Sequence, residues 1–335
     1  MKIFVVGDHK TGTGPANATA SLLKAMPEDT LYLKSTSKAA RLFEIITGVP
    51  SCDLVFLSGH SKQNLWAIKL ARIFKKPVFF WMHGCVEYEN EINEEPDEDM
   101  ARVERQVLEQ SDRILAVSPS FEAWLKDRYP SYKGKIGCLQ NGIDTSFFAG
   151  FKNEGQKKPE EGTPVRILCV GGGMKRKRIA RVCEAVDMLN EDGITCTLDI
   201  IGAKGVDSDL IENSAHASYR GLVSPKEAGE LMKQSDLFVQ NSCFETFGLA
   251  PLEALTAGCD VLFSRQTGAL CVFDEGSLTD TDLIEDTEDS RHIADRIVHI
   301  IEEHNHDRLI AGIDMQKNSW ENTVKRLFEM AGKEN

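Results

Sequence analysis

Short, unbroken apolar runs alternate with amphipathic stretches along almost the whole chain, and this alternation constrains the fold more than any other feature. The run at residues 2–6 is followed by an apolar-periodic stretch at residues 16–26. The run at residues 53–57 precedes residues 64–74, where Leu65, Ile68, Leu70 and Ile73 share one broad helical face. Val78–Met82, residues 113–117 and residues 136–139 are further short runs of the same kind. A strand apolar on every residue is buried on both faces, and parallel neighbours need a helical crossover between them. The pattern therefore predicts a doubly wound parallel sheet.

The pattern then breaks and restarts. Residues 149–164 are rich in Gly, Lys, Glu and Pro and lack an apolar period, as expected of an exposed connection. Strand-like runs resume at Val165–Val170, residues 197–201, Leu237–Gln240 and residues 261–264. Helices are expected over residues 179–189, 226–234, 249–257 and 292–304. A chain of 335 residues suits two such domains. The reading is thus α/β, two Rossmann-like halves with a cleft between them, divided at residues 150 and 151. Ligands of such sheets bind beyond the carboxyl ends of the strands, at the topological switch. The acidic run at residues 87–99 reads as a mobile solvated loop.

Composition narrows the function classes. With 41% hydrophobic and 27% charged residues, the chain has the makeup of a soluble globular protein. No stretch of about twenty apolar residues occurs, so no spanning helix is expected. The first seven residues, ending at Gly7, are too short and too soon broken to read as a signal peptide. Nine cysteines, scattered singly with no Cys-x-x-Cys pair, suggest reduced buried thiols in a cytoplasmic protein rather than disulfides or a zinc site. A net charge of -13 disfavours nucleic acid. The Asn17-Ala18-Thr19 sequon is expected to go unused.

The sharpest local signal is Asn241-Ser242-Cys243-Phe244-Glu245-Thr246-Phe247-Gly248-Leu249-Ala250-Pro251-Leu252-Glu253-Ala254. It reads as a strand end, a turn at Gly248, and a helix with Pro251 in its first turn. Free amides at the helix start suit a diphosphate. Glu253 is placed to accept hydrogen bonds from a ribose diol, and Glu245 to reach a hexose hydroxyl. Without a function, Glu253 is a favourable first-turn charge and Glu245 a surface residue. A second signal, Gly171-Gly172-Gly173-Met174-Lys175-Arg176-Lys177-Arg178, follows a strand and puts four cations where a diphosphate would leave. A solvated charged face is its plain alternative.

Glu245 and Glu253 with seven residues between them, and Phe247-Gly248 and Glu253-Ala254 in place, resemble the motif of retaining GT-B glycosyltransferases of family 4. The resemblance covers most of the chain. Ile114-Leu115-Ala116-Val117-Ser118 and Leu139-Gln140-Asn141-Gly142-Ile143-Asp144 resemble the segments that close the family's first domain. Tyr219-Arg220-Gly221-Leu222-Val223-Ser224 and Ser235-Asp236-Leu237-Phe238-Val239 are similar to the approach to the donor motif. Asn318-Ser319-Trp320-Glu321 resembles the start of the family's last helix, which implies that residues 318–335 return to the first domain and that the second spans 151–317.

The resemblance implies roles residue by residue. Glu253 would bind the ribose hydroxyls and Glu245 the donor hexose, with the amides of Phe247, Gly248, Leu249 and Ala250 near sugar and phosphate. Gly221, Leu222 and Val223 would lie along the base. His83, in Trp81-Met82-His83-Gly84, would face the donor sugar; its bland alternative is a capped strand-end histidine. Gly12 and Gly14 match the family's glycine loop, whose bare backbone admits donor phosphate and acceptor; a simple strand–helix turn is the other reading. Lys177 matches the family's phosphate-binding lysine. Gly172 stands where the family usually has an arginine, and Arg176 is the expected replacement. Glu245, His83 and Lys177 are the catalytic candidates.

The implied chemistry takes no metal and no cofactor, only a nucleotide-sugar co-substrate, with a UDP-hexose or UDP-N-acetylhexosamine favoured over GDP-mannose. The acceptor would be a glycan or a lipid-linked hydroxyl in bacterial surface-glycan assembly. Lys62, Lys69, Arg72, Lys75 and Lys76 cluster against the acidic trend, which suggests peripheral contact with an anionic membrane at the inner face of the plasma membrane. A soluble acceptor with a merely solvated patch is the alternative. Two rivals to transfer remain: a sugar-nucleotide epimerase of the same architecture, and a catalytically idle partner subunit, for which Gly172 is the only hint.

Overall fold

A computed structural model describes residues 1–144 and 162–332. The chain divides into two compact units. Met1–Glu91, Glu95–Asp144 and Gln316–Asn335 form the first, and Ile92–Glu94 with Thr145–Met315 the second. The expected exposed connection and the boundary at residues 150 and 151 lie, up to residue 161, outside the described residues, as does the end of the last helix beyond residue 332.

The first unit is a six-stranded sheet, parallel throughout. Its strands are β1 Ile3–Gly7, β2 Leu31–Tyr32, β3 Leu54–Ser58, β4 Val78–Met82, β5 Arg113–Ala116 and β6 Ile136–Cys138, in the order β2-β1-β3-β4-β5-β6. Phe4, Phe56, Phe79, Phe80 and Trp81 are fully buried, as unbroken apolar strands require when helices cover both faces. The crossovers are α1 Gly14–Ala25, α2 Lys38–Ser51, α3 Lys62–Ile73, α4 Val86–Asn93, α5 Glu98–Gln110 and α6 Pro119–Arg128.

The second unit repeats the plan with β7 Val165–Val170, β8 Cys196–Ile201, β9 Ala217–Gly221, β10 Leu237–Gln240, β11 Asp260–Ser264 and β12 Leu283–Ile284. The order is β12-β11-β10-β7-β8-β9, again all parallel. Its helices are α7 Ile179–Glu191, α8 Ser208–Glu212, α9 Pro225–Gln234, α10 Ala250–Thr256, α11 Ser290–Glu303 and α12 His306–Ala311. One side of the sheet packs Ile167, Leu198, Ile200 and Val239 against Val182, Val186, Ile293 and Ile297 from α7 and α11.

The last helix, α13 Trp320–Gly332, belongs to the first unit and packs on α1. Trp320 meets Trp81 edge-on at 6.3 Å. Thr323 donates to Gln140 O at 3.0 Å, and Ile143 bridges to Ser319.

One expectation is corrected. The acidic run at residues 87–99 is not a solvated loop: most of it is helical, as α4 and the first residues of α5. Glu87 and Glu91 are drawn into that helix by Arg128, at 3.9 and 3.0 Å, and Glu87 also lies 3.8 Å from Arg105. Cations on neighbouring helices offset a repulsion that, read along the sequence alone, looks disordering. No described helix is long and apolar enough to cross a membrane, and none of the nine cysteines is in a disulfide.

Candidate active site

In the second sheet the chain leaves β7 toward β8 and β9, then returns to build β10, β11 and β12 on the other side. The switch point is therefore the gap between the carboxyl ends of β7 and β10. The candidate site residues of this half, apart from those at and after the end of β9, lie in the two loops that leave those ends or in the first turn of the helix after β10.

The loop after β7 runs through Gly171-Gly172-Gly173 into a 3₁₀ turn, Lys175–Lys177, and then α7. The loop after β10 carries Glu245. Lys177 Nζ lies 2.5 Å from Glu245 Oε2, and the Arg176 guanidinium lies 3.6 Å from the same oxygen. Gln240 Nε2 donates to it at 3.0 Å, and Arg176 also donates to Phe244 O at 3.2 Å. The side chains of Lys177, Arg176 and Glu245 are only 13%, 16% and 11% exposed, so this is no solvated face. Burial pushes the Glu245 carboxyl up, but Lys177 and Arg176 outweigh it and hold the group below the ordinary range. Glu245 is thus an ionised, weakly basic acceptor.

The other two cations point elsewhere. Arg178, in a left-handed conformation, pairs with Glu288 at 2.6 Å, and Lys175 pairs with Glu94. The run is therefore not four free cations awaiting a phosphate. Two of its members converge on Glu245 and two are taken up by other carboxylates.

Gly172 explains its own departure from the family pattern. Its φ is +58°, and a Cβ there would sit 2.1 Å from Ala203 O. Gly202, with φ +142°, would meet Gly172 N at 2.4 Å. Gly173 N donates to Ala203 O at 3.0 Å. The loops after β7 and β8 pack backbone on backbone, and no side chain fits between them.

Gly248 takes φ +91°, and its turn is pinned by Gly268 N donating to Glu245 O at 2.9 Å and Ala269 N to Phe247 O at 2.6 Å. Phe247 is buried, while Leu249 and Ala250 are partly exposed. Among the described residues the amides of Gly248, Leu249 and Ala250 meet no protein acceptor. α10 is only seven residues long. Glu253, in its first turn, is an exposed residue whose carboxylate makes no hydrogen bond or ion pair among the described residues. Crowding by surrounding protein nonetheless pushes its carboxyl up. Gly221, with φ +72°, ends β9 and is followed by Leu222, 81% exposed, and by Val223.

In the first unit the switch lies between β1 and β3. Gly12, with φ +76°, and Gly14 have open space where a side chain would go, and Thr13 caps α1 by accepting from Ala16 N. His83 follows β4, and its Nε2 lies 3.1 Å from Ser58 Oγ. Ser58 Oγ lies 2.7 Å from Thr19 Oγ1, which donates to Pro15 O at 2.8 Å. Trp81 stands edge-on to the imidazole at 4.3 Å. Burial pushes His83 down to about 3, with His60 adding to the effect, so it is neutral at ordinary pH.

Sequence reasoning missed the supports of these groups. Gln240, Ser58 and Thr19 were passed over, although each is a polar residue at a strand end or on an apolar helix face, and each is buried. Glu104 of α5 was missed as well. It is 1% exposed and accepts from Val86 N at 3.0 Å and Glu87 N at 3.4 Å, holding the start of α4 just beyond His83. Burial pushes its carboxyl up to about 7. Among the described residues no group of three His, Cys, Asp or Glu is arranged to hold a metal ion.

Comparison with known proteins agrees with this layout. Residues 15–147 match the family described as Glycosyltransferase Family 4, and residues 151–313 match Glycosyl transferases group 1. A probable sucrose-phosphate synthase of Thermosipho melanesiensis is 26% identical over 223 residues, which cover 62% of this chain and 50% of that protein. The chain spans about half the length of the curated relatives it matches. Among solved structures, the Anabaena protein HepE, crystallised with UDP and glucose, superposes with a TM-score of 0.71 at 14% identity, covering 99% of this chain and all of that one. The sucrose-phosphate synthase of Thermosynechococcus elongatus superposes with a TM-score of 0.69 at 16% identity, covering 99% and 98%. At such identities the superpositions speak for the fold alone. With one family matched in each unit and the paired parallel sheets of that fold in both, the chain belongs to the GT-B glycosyltransferases of the family 4 and group 1 type.

Proposed function

We propose that the protein transfers a hexosyl or N-acetylhexosaminyl group from a nucleoside-diphosphate sugar to a hydroxyl acceptor, with retention at the anomeric carbon. The observation that carries this reading is the carboxylate of Glu253, unpartnered among the described residues and set eight residues beyond a Glu245 already clasped by two cations. A diol binds the first, a sugar hydroxyl donates to the second, and the bare amides of Gly248, Leu249 and Ala250 with Lys177 and Arg176 face the phosphates. The bond from the anomeric carbon to the distal phosphate oxygen breaks, and a bond to the acceptor oxygen forms on the same face. The acceptor proton leaves with the diphosphate. Glu245 serves as a hydrogen-bond acceptor rather than a base, because its depressed pKa makes it a poor one. His83, neutral at ordinary pH, is the first unit's proposed contribution, a hydrogen-bonding group that adds no charge.

A UDP-sugar is the proposed donor, favoured over GDP-mannose; the structural neighbour HepE was crystallised with UDP and glucose. Lys177 and Arg176 supply the charge that stabilises the leaving diphosphate, so the reaction proceeds without metal. The acceptor is proposed to be a growing bacterial surface glycan or glycolipid, met on the cytoplasmic side of the membrane. The test is incubation of the purified chain with a panel of UDP- and GDP-sugars in the presence of a chelator. Nucleoside diphosphate release and the anomeric configuration of the transferred sugar are read by nuclear magnetic resonance. An inverted product, an epimerised sugar nucleotide, or loss of activity to the chelator each overturns a named part of the reading. An idle subunit would release nothing with any donor.

A further inference from the structure

We propose that α2 and α3 of the first unit form an insertion face for anionic lipid, with α2 entering the headgroup–acyl boundary and α3 supplying the cations. This goes beyond the electrostatic patch visible in the sequence, because α2 was not foreseen there. It rests on the proposed glycolipid acceptor only for its purpose; the surface stands on its own geometry. The outward stripe of α2 carries Ala39, Leu42, Phe43, Ile46 and Pro50, all exposed and apolar, with the uncharged Thr47 among them; Phe43 is 67% and Ile46 49% exposed. The single acid of α2, Glu44, is withdrawn from that stripe, since it accepts from Lys34 N, Ser35 N and Ser35 Oγ.

α3 packs beside α2 and contains no acidic residue. Its outward stripe alternates charged and apolar side chains, Lys62, Trp66, Lys69 and Ile73, each exposed, with Phe74 and Lys75 beyond it. Lys69 Nζ stands 5.9 Å from the centre of the Trp66 ring. Two neighbouring acids are already paired with cations: Asp112 takes Arg72, and Asp99 takes Lys62 and Arg102. A surface with exposed Phe, Trp and Ile, flanked by lysines on a helix without acidic residues, matches an interface of apolar tails under negative headgroups. A second copy of the chain fits poorly, because a two-fold contact would set these lysines against themselves. The charge also runs against the whole chain, at -13, which would otherwise be repelled by an anionic surface.

The experiment is sedimentation with vesicles of phosphatidylcholine alone and of equal parts phosphatidylcholine and phosphatidylglycerol. The chain binds the second and not the first, and added salt weakens binding without abolishing it. Phe43→Ser with Ile46→Ser lowers vesicle affinity at least about tenfold, as loss of two inserted side chains requires. Lys69→Glu with Lys75→Glu removes the salt-sensitive part. Trp66 is the one exposed tryptophan of the four, so its emission shifts to the blue on binding and Trp66→Phe removes that shift. Absence of binding to the mixed vesicles, or binding that ignores Phe43→Ser with Ile46→Ser, overturns the proposal. So does a dimer in sedimentation equilibrium that those changes dissolve while vesicles bind nothing. Release of UDP from a soluble donor is measured on the same variants and stays at the wild-type rate. A wild type that binds vesicles but cleaves no donor refutes the transferase reading and leaves the insertion face standing.

Discussion

Lys177 and Arg176 share one carboxylate, and that sharing orders the mutational outcomes. Lys177→Ala and Arg176→Ala each remove about 2–4 kcal/mol of transition-state stabilisation, read as kcat/KM. Lys175→Ala and Arg178→Ala cost far less, because their partners, Glu94 and Glu288, lie outside the converging set. Equal small losses across all four would refute a phosphate role. Glu253→Ala weakens binding of nucleoside diphosphate by about 1.5–3 kcal/mol in calorimetric titration, the worth of a charge-assisted bond. Its raised pKa adds a sign: the carboxylate accepts from a diol more strongly than the neutral acid does, so donor affinity falls on acidification at a higher pH than an ordinary glutamate would give, and Glu253→Gln flattens that dependence. Glu104 makes the opposite kind of statement, about stability. Its folded pKa near 7 exceeds the unfolded value, so the folded state holds the extra proton. Stability is then lost as pH rises from about 4.5 to about 7, by roughly 3 kcal/mol relative to Glu104→Gln. Urea unfolding of both proteins across that window measures it, and parallel curves would remove Glu104 from the account.

At the scale of elements, the glycine loops after β7 and β8 decide what the site can contain. Restoring the family's arginine by Gly172→Arg does not repair the phosphate clamp. A Cβ there sits 2.1 Å from Ala203 O at a φ of +58°, so the substitution costs at least about 1–3 kcal/mol and lowers turnover. Thermal unfolding and donor turnover check it, and a more active Gly172→Arg enzyme would refute the packing argument. Gly12→Ala is the contrast. Open space surrounds it and only its φ of +76° resists, so it should cost about 1 kcal/mol. Which elements were legible follows from the same physics. Strands such as Val78–Met82 and Val165–Val170 announce themselves because burial on both faces leaves no polar position. α2 did not, because its outward residues Leu42, Phe43 and Ile46 are apolar and blur the helical period that reveals an amphipathic segment. α4 was obscured by its own charge, since the cations that hold it lie on α5 and α6.

For the molecule as a whole, the sequence disclosed the duplication of the sheet and the residues at the second switch point, because strand-end motifs and Glu spacing are local. It did not disclose how Glu245 is held, since Gln240 and Lys177 approach from separate strands, nor the Thr19–Ser58–His83 chain, which joins α1, β3 and the end of β4. The return of α13 to the first unit carries its own expectation. Trp320 is 6% exposed against Trp81, and a Cβ on Gly142 would fall 2.6 Å from Trp320 Cα. Trp320→Ala should cost about 3–5 kcal/mol. Hydrogen exchange would place the loss in β4 and the other strands of the first unit, leaving α7 and α11 protected; uniform loss across both units would contradict the division. That helix also sets a timetable. Chains usually finish their first domain while the ribosome is still making the second. Here the first unit lacks its tryptophan plug until residues 145–315 have been synthesised, so the half that begins first is completed last. Chains truncated just before Gln316 and released from the ribosome should present a protease with a resistant second unit and a still-yielding first.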